Sequence, residues 1–457
     1  MKWVLSQPGP CSTKPFMNGR VFRWLAFGAL AWVTLGETVK DREGAVRQDA
    51  ASMSGDARWI YNDVDRGFEQ ARNSGKPLLV VLRCVPCLAC GGLDGRVIDR
   101  STDLASLLDQ FVCVRVINAN ALDLSRFQFD YDLSFSTLVF NGDGTLYGRF
   151  GSWVHQTNSQ DRAVDGFRRT LQGALKLHRG YPGNRSVLEG KQGTPVPYRT
   201  PVDLPTLAGK YRPELDWKGK VVPSCVHCHQ IGDAFRTAFR ERGESIPSGW
   251  IYPQPAPDTL GFSLAPDQAA TVQRVTAGSI SDRAGLRPGD ELVAVRGQHV
   301  ISIADVSWAL HGAPESGELT VDVVRGGQRK SLVLELPPNW RRRADISRRV
   351  GTWEIRAMAL GGLLLEDLPD PDRARMGIGT AEMALRVKHA GEYGRHAVAK
   401  RAGVQKDDVL VGVDGISHRM SESELIGHLL QAHRTGDTVG VVVRRGDQRL
   451  ELSIAQQ

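Results

Sequence analysis

Three of the chain's seven cysteines fall within seven residues, Cys84-Val-Pro-Cys87-Leu-Ala-Cys90, directly after the apolar run Leu78 to Leu82. Thiols this close exchange disulfides or bind a soft metal. Where a strand ends in C-x-x-C and a helix follows, the first sulfur meets the helix N-terminus. There the dipole and the N–H groups of the first turn stabilise a thiolate and make it a nucleophile. The structural alternative is one bridged pair plus a spare thiol.

A second sulfur pair stands in Cys225-Val-His-Cys228-His229. C-x-x-C-H is the attachment signature of c-type haem, with Cys225 and Cys228 forming thioethers and His229 as proximal ligand. A cytochrome wrapping takes roughly 80–100 residues, and between Gln230 and Asp258 there is no methionine, which leaves Met358, Met376, Met383 and Met420 as distal ligands. A Cys225–Cys228 disulfide acting as substrate or relay for Cys87 is a second reading, and a metal site borrowing His227 or His229 a third. No cofactor follows firmly. Cys113 lies inside an apolar strand pattern and reads as a small buried hydrophobe.

The elements that must position these sulfurs follow from periodicity and turn chemistry. Residues 42–57 are small and polar and read as a tether. Trp59, Ile60, Val64, Phe68 and Ala71 recur at helical spacing until Gly75-Lys76-Pro77. The strand Leu78 to Leu82 follows, and Gly91-Gly92 delays or kinks the next helix. Asp103 caps a short segment carrying Leu104, Leu107 and Leu108. Phe111 to Ile117 alternates as a strand, and Thr137 to Phe140, the turn Asn141 to Gly144 and Leu146 to Phe150 form a hairpin. Ala163, Val164, Phe167, Leu171, Ala174 and Leu175 mark one face of a closing helix. Tyr181 to Ser224 is rich in proline and glycine and reads as a linker.

Residues 55–180 thus resemble a thioredoxin fold. The resemblance implies that the first cysteine stands about ten residues after the proline that opens the strand, here Pro77. That makes Cys87 the nucleophile and Cys90 the resolving thiol, with Cys84 able to re-pair with Cys87. Three residues depart from the thioredoxin pattern: Pro86 replaces a tryptophan, Val81 a buried aspartate, and Ser136 the cis-proline over the sulfurs. Without that proline, Cys84, Cys87 and Cys90 could hold a soft metal.

Residues 258–337 resemble a PDZ domain, through Leu260-Gly-Phe262, Val272 and the turn Ala284-Gly-Leu-Arg-Pro-Gly-Asp290. A helix over Ala304 to Leu310 and a strand over Leu319 to Arg325 follow. PDZ domains add an extended peptide to a sheet edge, and the resemblance implies that amides of Leu260, Gly261 and Phe262 hold its terminal carboxylate. Residues 350–457 repeat the pattern, with Asp407 in place of glycine in Ala402 to Asp408, a helix near Glu422 to Gln431, and Leu360-Gly-Gly-Leu363 as its peptide loop. This copy reads as structural rather than binding.

The net charge of +7 over 457 residues is dispersed, which argues against nucleic acid as a partner. Within residues 1–40, Trp24 to Gly36 is an uncharged run after Arg20 and Arg23, the pattern of a signal peptide or an uncleaved N-terminal membrane anchor. No G-x-S-x-G or H-E-x-x-H protease motif appears. The sequence therefore reads as an α/β thioredoxin-like domain, a segment 181–257 with the second cysteine pair, and two mixed α+β PDZ domains. This order resembles a family of exported bacterial thioredoxin-like/PDZ proteins, some of whose members carry selenocysteine at a reactive position. The resemblance implies a periplasmic or anchored thiol–disulfide oxidoreductase acting on disulfide-bearing proteins, recruited through their C-termini. The alternative is a non-enzymatic PDZ scaffold carrying haem or a metal for electron transfer.

Overall fold

The computed structural model describes residues 41–85, 91–98, 104–153, 155, 160–347 and 349–457. The expected signal segment and the expected thiols Cys87 and Cys90 lie outside the described residues. Among the described residues no helix is long and apolar enough to cross a membrane.

The expected tether is instead a helix, Arg42–Ser54. The expected helix from Trp59 divides into a strand β1 (Trp59–Tyr61) and a helix Val64–Ser74 capped by the Asp63 side chain. Strands β2 (Leu78–Arg83), β3 (Val112–Val116), β4 (Phe135–Phe140) and β5 (Leu146–Phe150) complete a sheet of order β1-β3-β2-β4-β5. β1 and β2 run parallel to β3, and β4 and β5 antiparallel to their neighbours. Val81 and Ser136 are buried in this sheet, next to the strand end that delivers Cys84. Helix Gln160–Gly180 lays Ala163, Phe167, Leu171 and Ala174 on one face of the sheet, as its periodicity predicts.

Segment 181–257 has fewer regular elements, but it is packed. Helix Cys228–Glu241 buries Ile231, Ala234 and Phe235 with Leu204, Leu207 and Val226. Beyond it come β6 (Phe262–Leu264) and β7 (Val272–Val275), paired as a hairpin, and β8 (Glu291–Val295), β9 (Gln298–His299), β10 (Gly317–Arg325) and β11 (Gln328–Leu336) in the order β11-β10-β8-β9. Helix Ile303–His311 is apolar almost all round and buried from Ile303 to Leu310. One side meets its own core of Val295, Leu319 and Val321, and the other meets the first sheet. Ser302 Oγ donates to the carbonyl of Arg149, and the Arg149 N–H donates to Asp305 at 3.0 Å, so edge strand β5 is sealed by the start of this helix.

The repeat is visible in three dimensions. Asp290 pairs with Arg325 and accepts the Arg287 N–H, while Arg325 also reaches the Gly285 carbonyl. Asp408 pairs with Arg445 and accepts the Gln405 N–H, and Arg445 reaches the Gly403 carbonyl. Gly289 (φ 87°) and Asp407 (φ 69°) occupy the same left-handed turn position, which costs the aspartate conformational energy that glycine avoids. The second unit is a five-stranded sheet, β12 (Leu363–Asp367), β13 (Leu385–Ala390), β14 (Val409–Val413), β15 (Thr438–Arg445) and β16 (Gln448–Ala455) in sequential order.

The seam between the first sheet and the β6–β11 unit contains His155, 5% exposed. Its Nδ1 lies 2.9 Å from Ser152 Oγ and its Nε2 3.2 Å from the Pro266 carbonyl, and its ring is tilted against that of Phe150 with centroids 4.2 Å apart. Burial pushes its pKa down to about 4. The unfolded chain, with an ordinary histidine near 6.5, takes up the proton first as pH falls, so stability drops from about pH 6.5 towards 4 by up to about 3 kcal/mol. The stability difference between wild type and His155→Gln should shrink by that order between pH 7 and 4.5 in urea titrations. A difference constant with pH contradicts the assignment.

Candidate functional site

The sulfur site is built on the end of β2. The Cys84 N–H donates to Ser134 at 3.0 Å, while Arg83 reaches the carbonyl of Ser134 and the carboxylate of Asp94. Arg115, fully buried on β3, is held between Asp94 on helix Gly91–Ile98 and Asp49 on helix Arg42–Ser54, at 2.6 Å to each. Two cations thus share Asp94, which fixes the helix that follows the cysteine loop against the strand that precedes it.

Opposite Cys84 stands the second motif. Asn120, wholly buried, donates to the carbonyls of Arg212 and Ser224 at 2.7 and 2.8 Å and accepts the Val226 N–H at 2.7 Å. Glu43 accepts the N–H groups of Val221 and Val222 just upstream, and its pKa is lowered by those bonds. The Cys84 Sγ lies 3.3 Å from His227 Nδ1, a thiol and an imidazole at hydrogen-bond range across 143 residues of sequence. Cys225 packs with Val85 and Ile117, and Cys228 joins the cluster of Leu82 and Val116. His227 and His229 stack at 5.8 Å. Cys228 opens the fourteen-residue helix Cys228–Glu241.

The Cys225-Val-His-Cys228 segment therefore meets the end of β2 at Cys84. This placement does not fit a porphyrin bound to Cys225, Cys228 and His229. The two sulfurs that would be bonded to one ring are packed into separate apolar clusters, Cys225 with Val85, Ile117, Leu215 and Val221 and Cys228 with Leu82 and Val116, and His229 is stacked on His227. Among the described residues no group of three or more His, Cys, Asp or Glu is placed to hold a metal ion. Cys113 is 1% exposed, and burial pushes its thiol up to about 12, in keeping with a core residue.

The expected peptide loop, Leu260 to Phe262, closes a short 3₁₀ turn and leads into β6. Gly261 has φ 89°, and a Cβ there would sit 2.2 Å from that of Ser279, so only glycine fits. Leu260, Phe262 and Leu264 are buried, and β6 pairs with β7 on one edge only. The corresponding Gly361-Gly362 of the second unit also has left-handed backbone. There, however, Glu422 at the start of helix Glu422–Ala432 accepts the Leu365 N–H at 2.8 Å and pairs with Arg356. The edge amide that an added strand would use already has a carboxylate on it.

Asn120, Glu43, Arg115 and Glu422 were not singled out from the sequence. Each acts on residues tens to hundreds of positions away, and a lone Asn or Glu in a polar stretch carries no periodic signal.

The matches to known families agree with this architecture. Residues 59–142 match the thioredoxin-like family model and residues 271–325 the PDZ domain model, so the chain joins a thioredoxin-like domain to a PDZ domain within a multidomain molecule. Among solved structures, the HtrA-type protease AlgW with decapeptide is 18% identical, with a TM-score of 0.19, over 30% of this chain and 40% of that one. A variant of the same protease with decapeptide is 17% identical over the same shares, again with a TM-score of 0.19. The chain spans 40% of the protease chains it matches. No curated protein matches it.

A thiol beside an imidazole transfers its proton readily and reacts faster as a nucleophile. His227→Ala should therefore slow iodoacetamide alkylation of Cys84 severalfold at pH 7, read by peptide mass spectrometry, with Cys113 unreactive in both proteins. An unchanged Cys84 rate contradicts the pairing.

Proposed function

We propose that this protein is an exported thiol–disulfide oxidoreductase whose PDZ domain recruits disulfide-bearing protein partners by their C-termini. The observation that carries the reading is the Cys84–His227 contact, which sets Cys225 and Cys228 against the strand end from which Cys87 and Cys90 follow. A thioredoxin-like domain suits redox chemistry and a PDZ domain suits protein binding. The apolar run Trp24 to Gly36 supports export, either cleaved or kept as an anchor.

In the exchange, the Cys87 thiolate attacks one sulfur of the partner disulfide. That S–S bond breaks, a mixed disulfide forms, and the departing partner thiolate takes a proton from water. Cys90 then attacks the mixed disulfide, forming the Cys87–Cys90 bond and releasing the partner as a dithiol. The partner gains two electrons and the protein loses two. The Cys225/Cys228 dithiol acts as relay: Cys84, its proton passed to His227, attacks Cys87 and releases the Cys90 thiolate; Cys225 attacks Cys84 of that bond and releases the Cys87 thiolate; Cys228 then attacks Cys225 and releases Cys84, and the Cys225–Cys228 disulfide stands until an external dithiol reduces it.

Recruitment falls to the first PDZ unit. Its loop Leu260-Gly261-Phe262 leads into β6, whose outer edge can accept a strand, and Ile303 stands at the helix start where the second unit has Glu422. We read residues 350–457 as a second PDZ-like copy that binds no peptide, because Glu422 occupies its edge amide.

The test is turnover of a disulfide-bearing peptide presented with a free or an amidated C-terminus. Cys87→Ser should abolish reduction. Amidation should raise KM about tenfold with kcat unchanged, the scale of a lost charge-assisted hydrogen bond made equally in ground and transition states. If Cys84→Ser were the only damaging change, Cys87 would not be the nucleophile. Equal KM for the two peptides would exclude C-terminal recognition.

A further inference from the structure

A sheet edge with uncovered backbone groups pairs with whatever strand it meets, and most edges of this molecule are closed. β5 meets Ser302 and Asp305, β12 has Glu422 on its Leu365 N–H, β9 has only two residues, and helix Arg42–Ser54 reaches β1 through the Asp49–Tyr61 hydrogen bond at 2.9 Å. Apart from β6, the edge assigned to the peptide, the long edges left are β16 and β11, the outermost strands of their sheets.

β11 is nine residues long and alternates. Leu334 and Leu336 are buried and Leu332 half-buried on one face, while Arg329, Ser331, Val333 and Glu335 lie exposed on the other. Val333 is 44% exposed, and among the described residues no other strand bares a large apolar side chain. The exposed positions of β16, Arg449, Glu451, Ser453 and Ala455, hold no apolar group larger than the alanine methyl.

The charges on the exposed face of β11 are unbalanced. Glu335 stands directly opposite Glu318 on β10, both are exposed, and no cation pairs with either among the described residues. Like charges directly opposite on a sheet are destabilising. Arg329, towards the other end of the same face, reaches Asp322 at 2.9 Å, yet its side chain is 67% exposed.

We infer that β11 is the interface of a symmetric dimer, in which a second copy of this chain pairs its own β11 antiparallel to the first, centred on Leu332. The register follows from the faces. When paired residues differ by an even number, the exposed face of one copy continues into the exposed face of the other. With Leu332 opposite its counterpart, Ser331 meets Val333 and Arg329 meets Glu335, each twice by symmetry. The arginine of one copy then lies beside the glutamate pair of the other and offsets its repulsion, and Val333 gains a strand on its open side. Centring on Ser331 would set Arg329 opposite Val333, and centring on Val333 would set it opposite Pro337, beyond the strand. One strand pair with its flanking side chains is smaller than a standard interface, so the dimer forms in a concentration-dependent equilibrium. It uses no residue of the sulfur pairs or of the peptide edge, and it stands whether or not the thiol chemistry does.

Sedimentation velocity of the full chain across a concentration series tests the assignment. The wild type should pass from monomer to dimer. Arg329→Glu and Glu335→Arg each set like charges at both symmetric contacts and should weaken association about tenfold or more, the scale of juxtaposed like charges. Mixed one to one, the two variants should dimerise again, because each contact then joins opposite charges. Both positions are exposed, so folding tolerates the changes. A wild type that stays monomeric across the series, association unmoved by either variant, or a mixture no more associated than its components would each overturn the assignment.

Discussion

Arg115 is a fully buried cation clamped between Asp49 and Asp94, and Arg83 shares the second of those carboxylates. Removing one partner from a buried ion pair costs about 3–5 kcal/mol, because the other charge is left without compensation. The geometry of the sulfur site depends on that constraint. Asp49 brings in the N-terminal helix, which through Glu43 holds Val221 and Val222, and so the approach to Cys225. Asp94 fixes the helix beyond the cysteine loop, and Arg83 ties the end of β2 to Ser134. One buried network thus sets both sides of the Cys84–His227 contact.

The same economy of polar contacts binds the PDZ unit to the first domain. A thioredoxin-like sheet ends in an edge strand, and exposed edges invite unwanted pairing. Here β5 meets Ser302 and Asp305 through its own backbone, while Ile301 enters the first domain's core. The two domains are consequently packed together rather than strung on a tether.

Much of this was legible in the sequence because it is local. The β4–β5 hairpin was marked by Asn141 to Gly144, the closing helix by its apolar stripe, and the PDZ domain by Ala284 to Asp290, whose aspartate accepts the Arg287 amide. The failures are long-range. Helix Arg42–Ser54 buries only Val46 and Met53 and has no apolar face to announce it; Arg115 and Tyr61, bonded to its Asp49, hold it in place. Trp59 to Tyr61 fits a helical stripe, yet pairing with Cys113 to Arg115 makes it a strand, a tertiary contact overriding local pattern. The meeting of Cys84 with His227 depends on Asn120, a residue whose three side-chain hydrogen bonds lie about a hundred positions away.

The meeting of Cys84 with the segment that bears Cys225, His227 and Cys228 is the claim on which the functional account stands. Mild diamide oxidation of the full chain, followed by proteolysis and mass spectrometric mapping of disulfides, tests it most directly. In a Cys87→Ser/Cys90→Ser/Cys228→Ser variant, which cannot close a pair within either motif, the account predicts an intramolecular Cys84–Cys225 bridge at low oxidant and independent of protein concentration. Cys84 and Cys225 staying unbridged, or bridging only between molecules, would contradict it.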